Sequence, residues 1–498
     1  MVNITVDGLK IEAQEGTSVI RAAQKAGIEI PHLCEFEHLT PHGGCRICVV
    51  EIEGISTLQT SCTYPVQEGM VVHTNTEKVQ KSRKFVLSLL FGERNHFCMY
   101  CPATNGDCEL QTAAYKAEMD HWPIQPSWEQ FPVDSSHPWL VWDQNRCILC
   151  QRCVRACTEL SGQHTIVPMN RGADMILTTD NGIPWGESSC VKCGTCLQVC
   201  PTGAIMDKHS LYMGNDAVAD VTKSICVECG LGCATTVYAR SNQLMKVFGD
   251  WDGEINQGVL CEKGRFKAVE KIGKPRLKTP LIRKNGKLEP ISWEEAIQII
   301  VKRFRKQPSM GMISARLSIE ALYTFKQLFQ ALGCEMIVST EESGNDYHEV
   351  LAVIDDPKQA VVSPDMFGKR GKANSHAAKV FGLTGEWKAD GRVVFAAIGD
   401  DSDIDHLIDP LSQADFLIVH SSCNSRLTDA ADLILPATNW TEESGHYLSL
   451  SGQLQKAQAS LTPPSGIYEN VEMLSLIAKS AGVTVVMDWQ KELASIQV

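Results

Sequence analysis

Two runs of cysteine carry the strongest chemical signal in this sequence. Cys147, Cys150, Cys153 and Cys157 follow a C-x2-C-x2-C-x3-C spacing, and Cys190, Cys193, Cys196 and Cys200 repeat it, with Pro201 after the last. Three thiolates set three residues apart can turn around one face of an iron–sulfur cube. The fourth corner points away and must take its sulfur from elsewhere. In paired runs of this kind the fourth cysteine ligates the other cluster. The expected [4Fe–4S] sets are therefore Cys147, Cys150 and Cys153 with Cys200, and Cys190, Cys193 and Cys196 with Cys157. Zinc competes poorly, because structural zinc takes CxxC pairs rather than a triplet with a remote fourth ligand. Thr158 stands where a proline usually follows the first run, which leaves the ligands intact.

Three further groups have ligand spacing. Cys34-x10-Cys45-x2-Cys48-x13-Cys62 has Gly43 and Gly44 just ahead of its central pair. A close-wrapping loop with three sulfurs and a fourth from a later strand suits a [2Fe–2S] centre, the glycines letting backbone amides approach the sulfides. His96-x-Cys98-x2-Cys101-x6-Cys108 offers only three sulfurs. A cube there needs another ligand, and His96 is the candidate, since imidazole can replace thiolate and raises the cluster potential. The alternative is a surface histidine, with water or another residue completing the site. Cys226-x2-Cys229-x3-Cys233-x27-Cys261 is the last group, followed by Glu262-Lys-Gly-Arg-Phe266.

Of the 21 cysteines only Cys334 and Cys423 fall outside these groups; both read as small buried hydrophobes. The start, Met1-Val-Asn-Ile-Thr-Val6, lacks the basic region and apolar core of a secretory signal. Together with the spacings, this favours metal coordination in a reducing compartment over disulfides. No apolar run approaches the length that crosses a bilayer. The expectation is a cytoplasmic protein without direct membrane insertion. The net charge of −13 argues against nucleic acid as a partner. At 498 residues, 44% hydrophobic and 21% charged, the chain is an ordinary globular one of several domains.

The elements that must position these groups are legible in outline. Val2–Val6 alternates, Asp7-Gly8 turns and Leu9–Ala13 continues, a hairpin by pattern. Thr17 or Ser18 caps a short helix to Ala26, and Gly27 ends it. A helix over Glu77–Phe91 leads to His96. Residues 119–142, with Trp122, Trp128, Trp139, Trp142 and several prolines, read as a connector. After Cys261 the pattern is α/β. Ser292-Trp-Glu-Glu295 opens a helix to Phe304, a strand near Gly311–Ser314 precedes a helix over Ser318–Leu332, and Glu335–Ser339, Arg392–Ile398, Phe416–His420 and Leu433–Leu435 continue the alternation of a parallel sheet. Neither a GxGxxG fingerprint opening a helix nor a Walker P-loop is present. From Glu262 to Lys287 the chain turns basic, a solvated linker face or a steering surface for an acidic electron carrier.

The hairpin, helix and Cys34–Cys62 loop resemble the β-grasp ferredoxin domain that opens complex I's large iron–sulfur subunit and some hydrogenases. The same families carry a His-and-three-Cys cluster next, usually with three residues between histidine and cysteine; the single residue here is closer to diaphorase subunits of NAD-linked hydrogenases. The Cys226–Phe266 stretch resembles the small [4Fe–4S] domain of molybdopterin oxidoreductases, where a lysine at the Lys263 position lies between cube and pterin. The resemblance implies a multidomain α+β and α/β chain: 1–78 a 2Fe-2S ferredoxin-like domain, 79–118 a His/Cys-ligated 4Fe-4S domain, 119–142 a linker, 143–215 a two-cluster 4Fe-4S ferredoxin domain, 219–275 a 4Fe-4S domain of molybdopterin-oxidoreductase type, and 276–498 a truncated molybdopterin-oxidoreductase-like α/β domain. Catalytic formate dehydrogenases present a cysteine or selenocysteine followed by histidine just after the strand corresponding to Glu335–Ser339. Here Ser339-Thr-Glu-Glu-Ser-Gly344 has neither, and the stretch after Cys261 leaves no room for that family's further lobes. Arg426–Ala437, Glu442–Gly445 and Ser451–Gln455 resemble the matching part of complex I's subunit.

The implied cofactors are one 2Fe-2S and four 4Fe-4S clusters, with no molybdopterin and no catalytic substrate site. Flavin and NAD(P) would sit on partner subunits. The implied role is an electron-transfer subunit of a soluble NAD(P)-linked oxidoreductase, electron-bifurcating in the nearest resemblances. It would pass single electrons between a flavin/NAD(P)-binding subunit, with its small 2Fe-2S subunit, and ferredoxin or a hydrogenase or formate dehydrogenase partner. The alternatives are the large iron–sulfur subunit of respiratory complex I and a molybdenum or tungsten formate dehydrogenase subunit.

Overall fold

The structure, a computed structural model, describes residues 1–121, 123–340, 357–363 and 369–494. Trp122 of the connector and Glu341–Gly344 of the expected metal-ligand position lie outside the described residues. The chain divides into two compact units, Met1–Ala219 and Asp220–Val498.

The first unit opens on the expected hairpin. Val2–Val6 pairs antiparallel with Leu9–Ala13, from Val2 opposite Ala13 to Val6 opposite Leu9. Asp7 and Gly8 both take positive φ, 50° and 86°, the turn whose twist matches the strands it joins. Val71–His73 adds in parallel, and Val49–Ile52 and Gln59–Thr60 complete a five-stranded sheet. The helix Val19–Lys25 buries Val19, Ile20, Ala22 and Ala23 on this sheet. The next helix, Glu77–Glu93, is capped by Thr76, whose hydroxyl accepts from the Val79 amide. Its buried Arg83 donates to the carbonyls of Ile47 and Val49, fixing the Cys45–Cys48 loop from behind.

The segment expected as a connector does more than connect. Val133–Asp134 and Leu140–Asp143 are strands, and the latter pairs with Ile205–Asp207 just beyond Cys200. Trp142 and Trp185 pack at 4.9 Å, with His137 against Trp185 at 4.7 Å. This aromatic core closes the second cysteine run on one side.

In the second unit a three-stranded meander, Asp220–Ile225, Ala234–Arg240 and Gln243–Gly249, carries Cys226–Cys233 in its first loop. A seven-stranded sheet follows. Its parallel part runs Met336–Ser339, Ser309–Ile313, Val393–Gly399, Phe416–Ser421, Leu433–Pro436, and the antiparallel hairpin Leu281–Lys284 with Lys287–Pro290 extends the last edge. Successive side chains of the central strand serve opposite faces. Val393, Phe395 and Ala397 pack with the helices Trp293–Phe304, Ile319–Ala331 and Asn470–Ala481. Val394, Ala396 and Ile398 pack with Leu407, Ile408 and Leu427. Both faces are covered, as a parallel sheet requires.

Candidate iron–sulfur centres

None of the 21 cysteines is in a disulfide. Cys48 and Cys62 are buried in the core of the β-grasp sheet and Cys34 in the cluster of Ile47, Leu87 and Phe91, and the Cys34 amide donates to Cys45 Sγ at 3.4 Å. These four thiols compete for protons, Cys45 and Cys62 favouring the thiolate of Cys34 and Cys62 that of Cys48. This competition lowers Cys34, brings Cys48 down to about 7, and raises Cys45 and Cys62. Four sulfurs crowded so that they compete for protons fit a donor set for iron.

In the paired runs the chain repeats one local geometry. Leu149 and Gln151 flank Cys150 with φ of 52° and 56°; Lys192 and Gly194 flank Cys193 with φ of 57° and 68°. Left-handed backbone at non-glycine residues is uncommon. Here it turns the amides of Leu149 and Lys192 onto Cys147 Sγ and Cys190 Sγ, each at 3.4 Å. Burial pushes Cys150 and Cys153 up, and Cys147 up to about 11, and the charge of Cys200 adds to the rise at all three. Cys190 is pushed up to about 12 by burial, then by Cys193 and Cys157. Cys200 thus bears electrostatically on the first run and Cys157 on the second. The two sets adjoin, since Cys153 also responds to Cys196.

The Cys98, Cys101 and Cys108 set leans on the first of these. Cys108 caps the helix Glu109–Lys116 through its sulfur, its thiol pushed up to about 12 by burial. A Cβ on Gly203, just beyond Cys200, would meet Cys101 Sγ at 2.6 Å, so only glycine permits that approach. Glu109 joins the same surfaces, its amide donating to the Pro201 carbonyl and its carboxylate holding Arg152 in two bonds of 2.6 and 2.7 Å. His96 is half-buried, with its ring nitrogen Nε2 enclosed. Burial, then Arg146 and Arg94, lower its pKa to about 4, so the ring is neutral. Its Nε2 is buried without a hydrogen-bond partner, and its carbonyl receives the Cys98 thiol at 3.3 Å. A neutral imidazole with an unsatisfied nitrogen fits a ligand role. Replacing His96 with alanine is expected to change one cluster's EPR signal and leave the others; an unchanged spectrum removes His96 from the ligands.

Cys226, Cys229, Cys233 and Cys261 line one cavity of about 340 Å³. The Cys226 amide donates to the Cys233 carbonyl at 2.8 Å, closing the loop. A Cβ on Gly264 would stand 3.0 Å from Cys226 Sγ. Lys263 lines this cavity, half-buried rather than solvated. Spacing gave no hint of Glu228, inside the Cys226–Cys229 interval. Burial alone would raise its carboxyl, but Arg316 and Lys271 hold it down to about 2, each nitrogen at 2.8 Å. Arg316 also pairs with Asp400 at 3.0 Å, and Ser314 and Lys372 both hold Asp401. Ser314 and Arg316 follow one strand and Asp400 and Asp401 follow its neighbour, at the place where strand order reverses. Open α/β sheets bind ligands in that crevice; here these side chains tie its two lips together.

The basic run points partly inwards, with Arg265 buried, Lys271 on Glu228 and Arg276 on Glu442. Cys334 and Cys423 are half-buried rather than fully buried, and neither joins a set. Among the described residues no group of three or more His, Cys, Asp or Glu is placed to hold a single metal ion, whereas a cluster spreads its ligands over separate irons. No described helix is long and apolar enough to cross a membrane.

Five family models match the chain: 2Fe-2S iron-sulfur cluster binding domain over residues 1–77, NADH-ubiquinone oxidoreductase-G iron-sulfur binding region over 83–122, the ferredoxin-like domain of NADH-quinone oxidoreductase subunit 3 over 138–206, molybdopterin oxidoreductase Fe4S4 domain over 219–268, and molybdopterin oxidoreductase over 276–366 and 369–480. The second G-type chain of the Rhizobium meliloti NADH-quinone oxidoreductase is 36% identical over 67% of this chain and 39% of its own length. The alpha chain of the NADPH-Fe(3+) oxidoreductase of Geobacter sulfurreducens is 33% identical over 69% of this chain and 41% of its own. A chain from the crystal structure of an NAD+-reducing [NiFe]-hydrogenase in the H2-reduced state is 36% identical, with a TM-score of 0.41, covering 43% of this chain and 91% of that one. The chain spans 39% to 51% of the length of the curated relatives it matches.

Proposed function

Because the chain belongs to the family of G-type NADH-quinone oxidoreductase chains and their 75–78 kDa counterparts, iron–sulfur electron-transfer subunits, we propose that it conducts single electrons inside a soluble NAD(P)-linked complex. The donor would be a flavin subunit that exchanges hydride with NAD(P)H, joined by a small 2Fe-2S subunit. The acceptor would be ferredoxin or a hydrogenase or formate dehydrogenase partner, and electron bifurcation is part of this reading. One 2Fe-2S and four 4Fe-4S clusters would be held by the nineteen cysteines and His96 named above. Bound clusters supply one-electron chemistry, at potentials set by ligand type, hydrogen bonds to sulfur and solvent exposure.

The contiguity of the sulfur sets in the first unit carries this reading. Cys153 neighbours Cys196, Cys101 packs under Gly203, and Arg155 touches the carbonyls of both Cys34 and Cys150. Four sets thus meet around Cys147–Cys153, as a conduit needs and separate structural supports do not. In the second unit, the tied crevice between Ser314–Arg316 and Asp400–Asp401 supports a scaffold without a pterin. Metal analysis of the purified complex is expected to give about 18 iron atoms per copy of this chain, and neither molybdenum nor tungsten. Stoichiometric molybdenum would return the formate dehydrogenase reading.

A further inference from the structure

Arg152, Arg155 and Glu159 are spaced by three and four residues on the helical segment that carries Cys153 and Cys157, one ligand of each cube set. Such spacing puts them on one face. The face grips the Cys34–Thr40 loop of the 2Fe-2S domain. The Arg152 guanidinium lies 5.5 Å from the centre of the Phe36 ring, and Glu159 accepts from the Thr40 amide at 2.8 Å. Between them Arg155 donates from Nη1 to the Thr40 carbonyl at 2.6 Å. Its Nη2 donates to the Cys34 carbonyl and, at 3.4 Å, to that of Cys150. One guanidinium nitrogen is therefore shared by backbone carbonyls of two ligand cysteines, from the 2Fe-2S set and the first cube set.

The geometry points to Arg155 as the positioning residue that sets electron exchange between the 2Fe-2S set (Cys34, Cys45, Cys48, Cys62) and the cube set (Cys147, Cys150, Cys153, Cys200). It rests on the conduit reading above. A guanidinium keeps its charge at every accessible pH and presents donors in a rigid fork. It can hold three carbonyls at once, fixing both ligand loops and leaving a hydrogen-bonded route from Cys34 to Cys150. Lysine keeps the charge but not the fork.

The test uses the complex containing Arg155→Met, Arg155→Lys and Glu159→Gln chains. Iron content and EPR redox titration come first, then freeze-quench EPR of electron exchange between the two signals after a substoichiometric pulse of reductant. Both arginine variants are expected to keep their iron and to exchange electrons severalfold more slowly, because loss of the fork loosens both ligand loops and breaks the hydrogen-bonded route between them. Midpoint potentials should fall in Arg155→Met and stay in Arg155→Lys. Glu159→Gln, which weakens the docking alone, should exchange at the wild-type rate. If Arg155→Met loses iron, Arg155→Lys decides alone. Wild-type exchange in Arg155→Lys, or equal slowing in Glu159→Gln, overturns the inference. Absence of either signal from the wild type would instead overturn the conduit reading.

Discussion

Replacing Cys200 with serine is expected to erase the same EPR signal as replacing Cys150, although Cys200 belongs to the other cysteine run. The loss should be about four iron atoms per chain, since a cube that loses one thiolate corner is the unit removed. The reason is geometric. A C-x2-C-x2-C loop wraps three corners, and the helix that follows carries its fourth cysteine away. Cys157 lies on that helix after the first run, Cys200 at the end of the corresponding helix Thr195–Val199. The crossed expectation delivers each to the opposite set, and the charge of Cys200 bears on Cys147, Cys150 and Cys153. The mirror experiment pairs Cys157→Ser with Cys193→Ser. If Cys200→Ser removes the signal that Cys193→Ser removes, the crossed assignment fails.

The paired runs themselves were legible, since spacing is local; their crossed pairing rests on those spectra. The β-grasp hairpin was equally open, its alternation and its Asp7-Gly8 turn being local. The alternation of strands and helices after Ser292 was visible too, because buried parallel strands are short apolar runs whatever they touch. What stayed hidden depends on partners distant in sequence. Val133–Asp134 and Leu140–Asp143 sit among prolines and tryptophans that read as irregular chain, and become strands by pairing with each other and with Ile205–Asp207. The hairpin Leu281–Lys284 with Lys287–Pro290 had a usable signal, Asn285-Gly286, whose φ values of 50° and 79° are those of a two-residue hairpin turn. Arg155 and Glu228 had none. Each is an ordinary charged residue in a ligand interval, and what it holds arrives from residues far away in the chain.

Glu228 leads to the second large effect. Replacing Arg316 with methionine is expected to destabilise the α/β sheet by about 3–5 kcal/mol, the range for removing one partner of a buried ion pair. Arg316 is 3% exposed and holds two carboxylates at once, Glu228 at 2.8 Å and Asp400 at 3.0 Å. Without it Asp400 keeps the Trp440 amide at 3.2 Å, a neutral donor in place of a charge, and Glu228 keeps Lys271. Hydrogen exchange of the Ser309–Ile313 and Val393–Gly399 amides reads the opening free energy directly. Lys223→Met, which breaks only exposed pairs with Asp250 and Asp252, should leave that protection unchanged. Because Glu228 lies between Cys226 and Cys229, the Arg316 variant should also shift the EPR signal of that set alone. Adding Asp400→Asn should restore part of the lost protection, since Asp400 is the carboxylate left without a cationic partner. Protection in Arg316→Met within about 1 kcal/mol of wild type would mean that the pairs are replaceable by water. The α/β domain would then have no part in holding the cluster loop. A drop of the expected size, with the spectral shift, would give that domain a job: its crevice, closed by charge, is the clamp that keeps Cys226 and Cys229 in place.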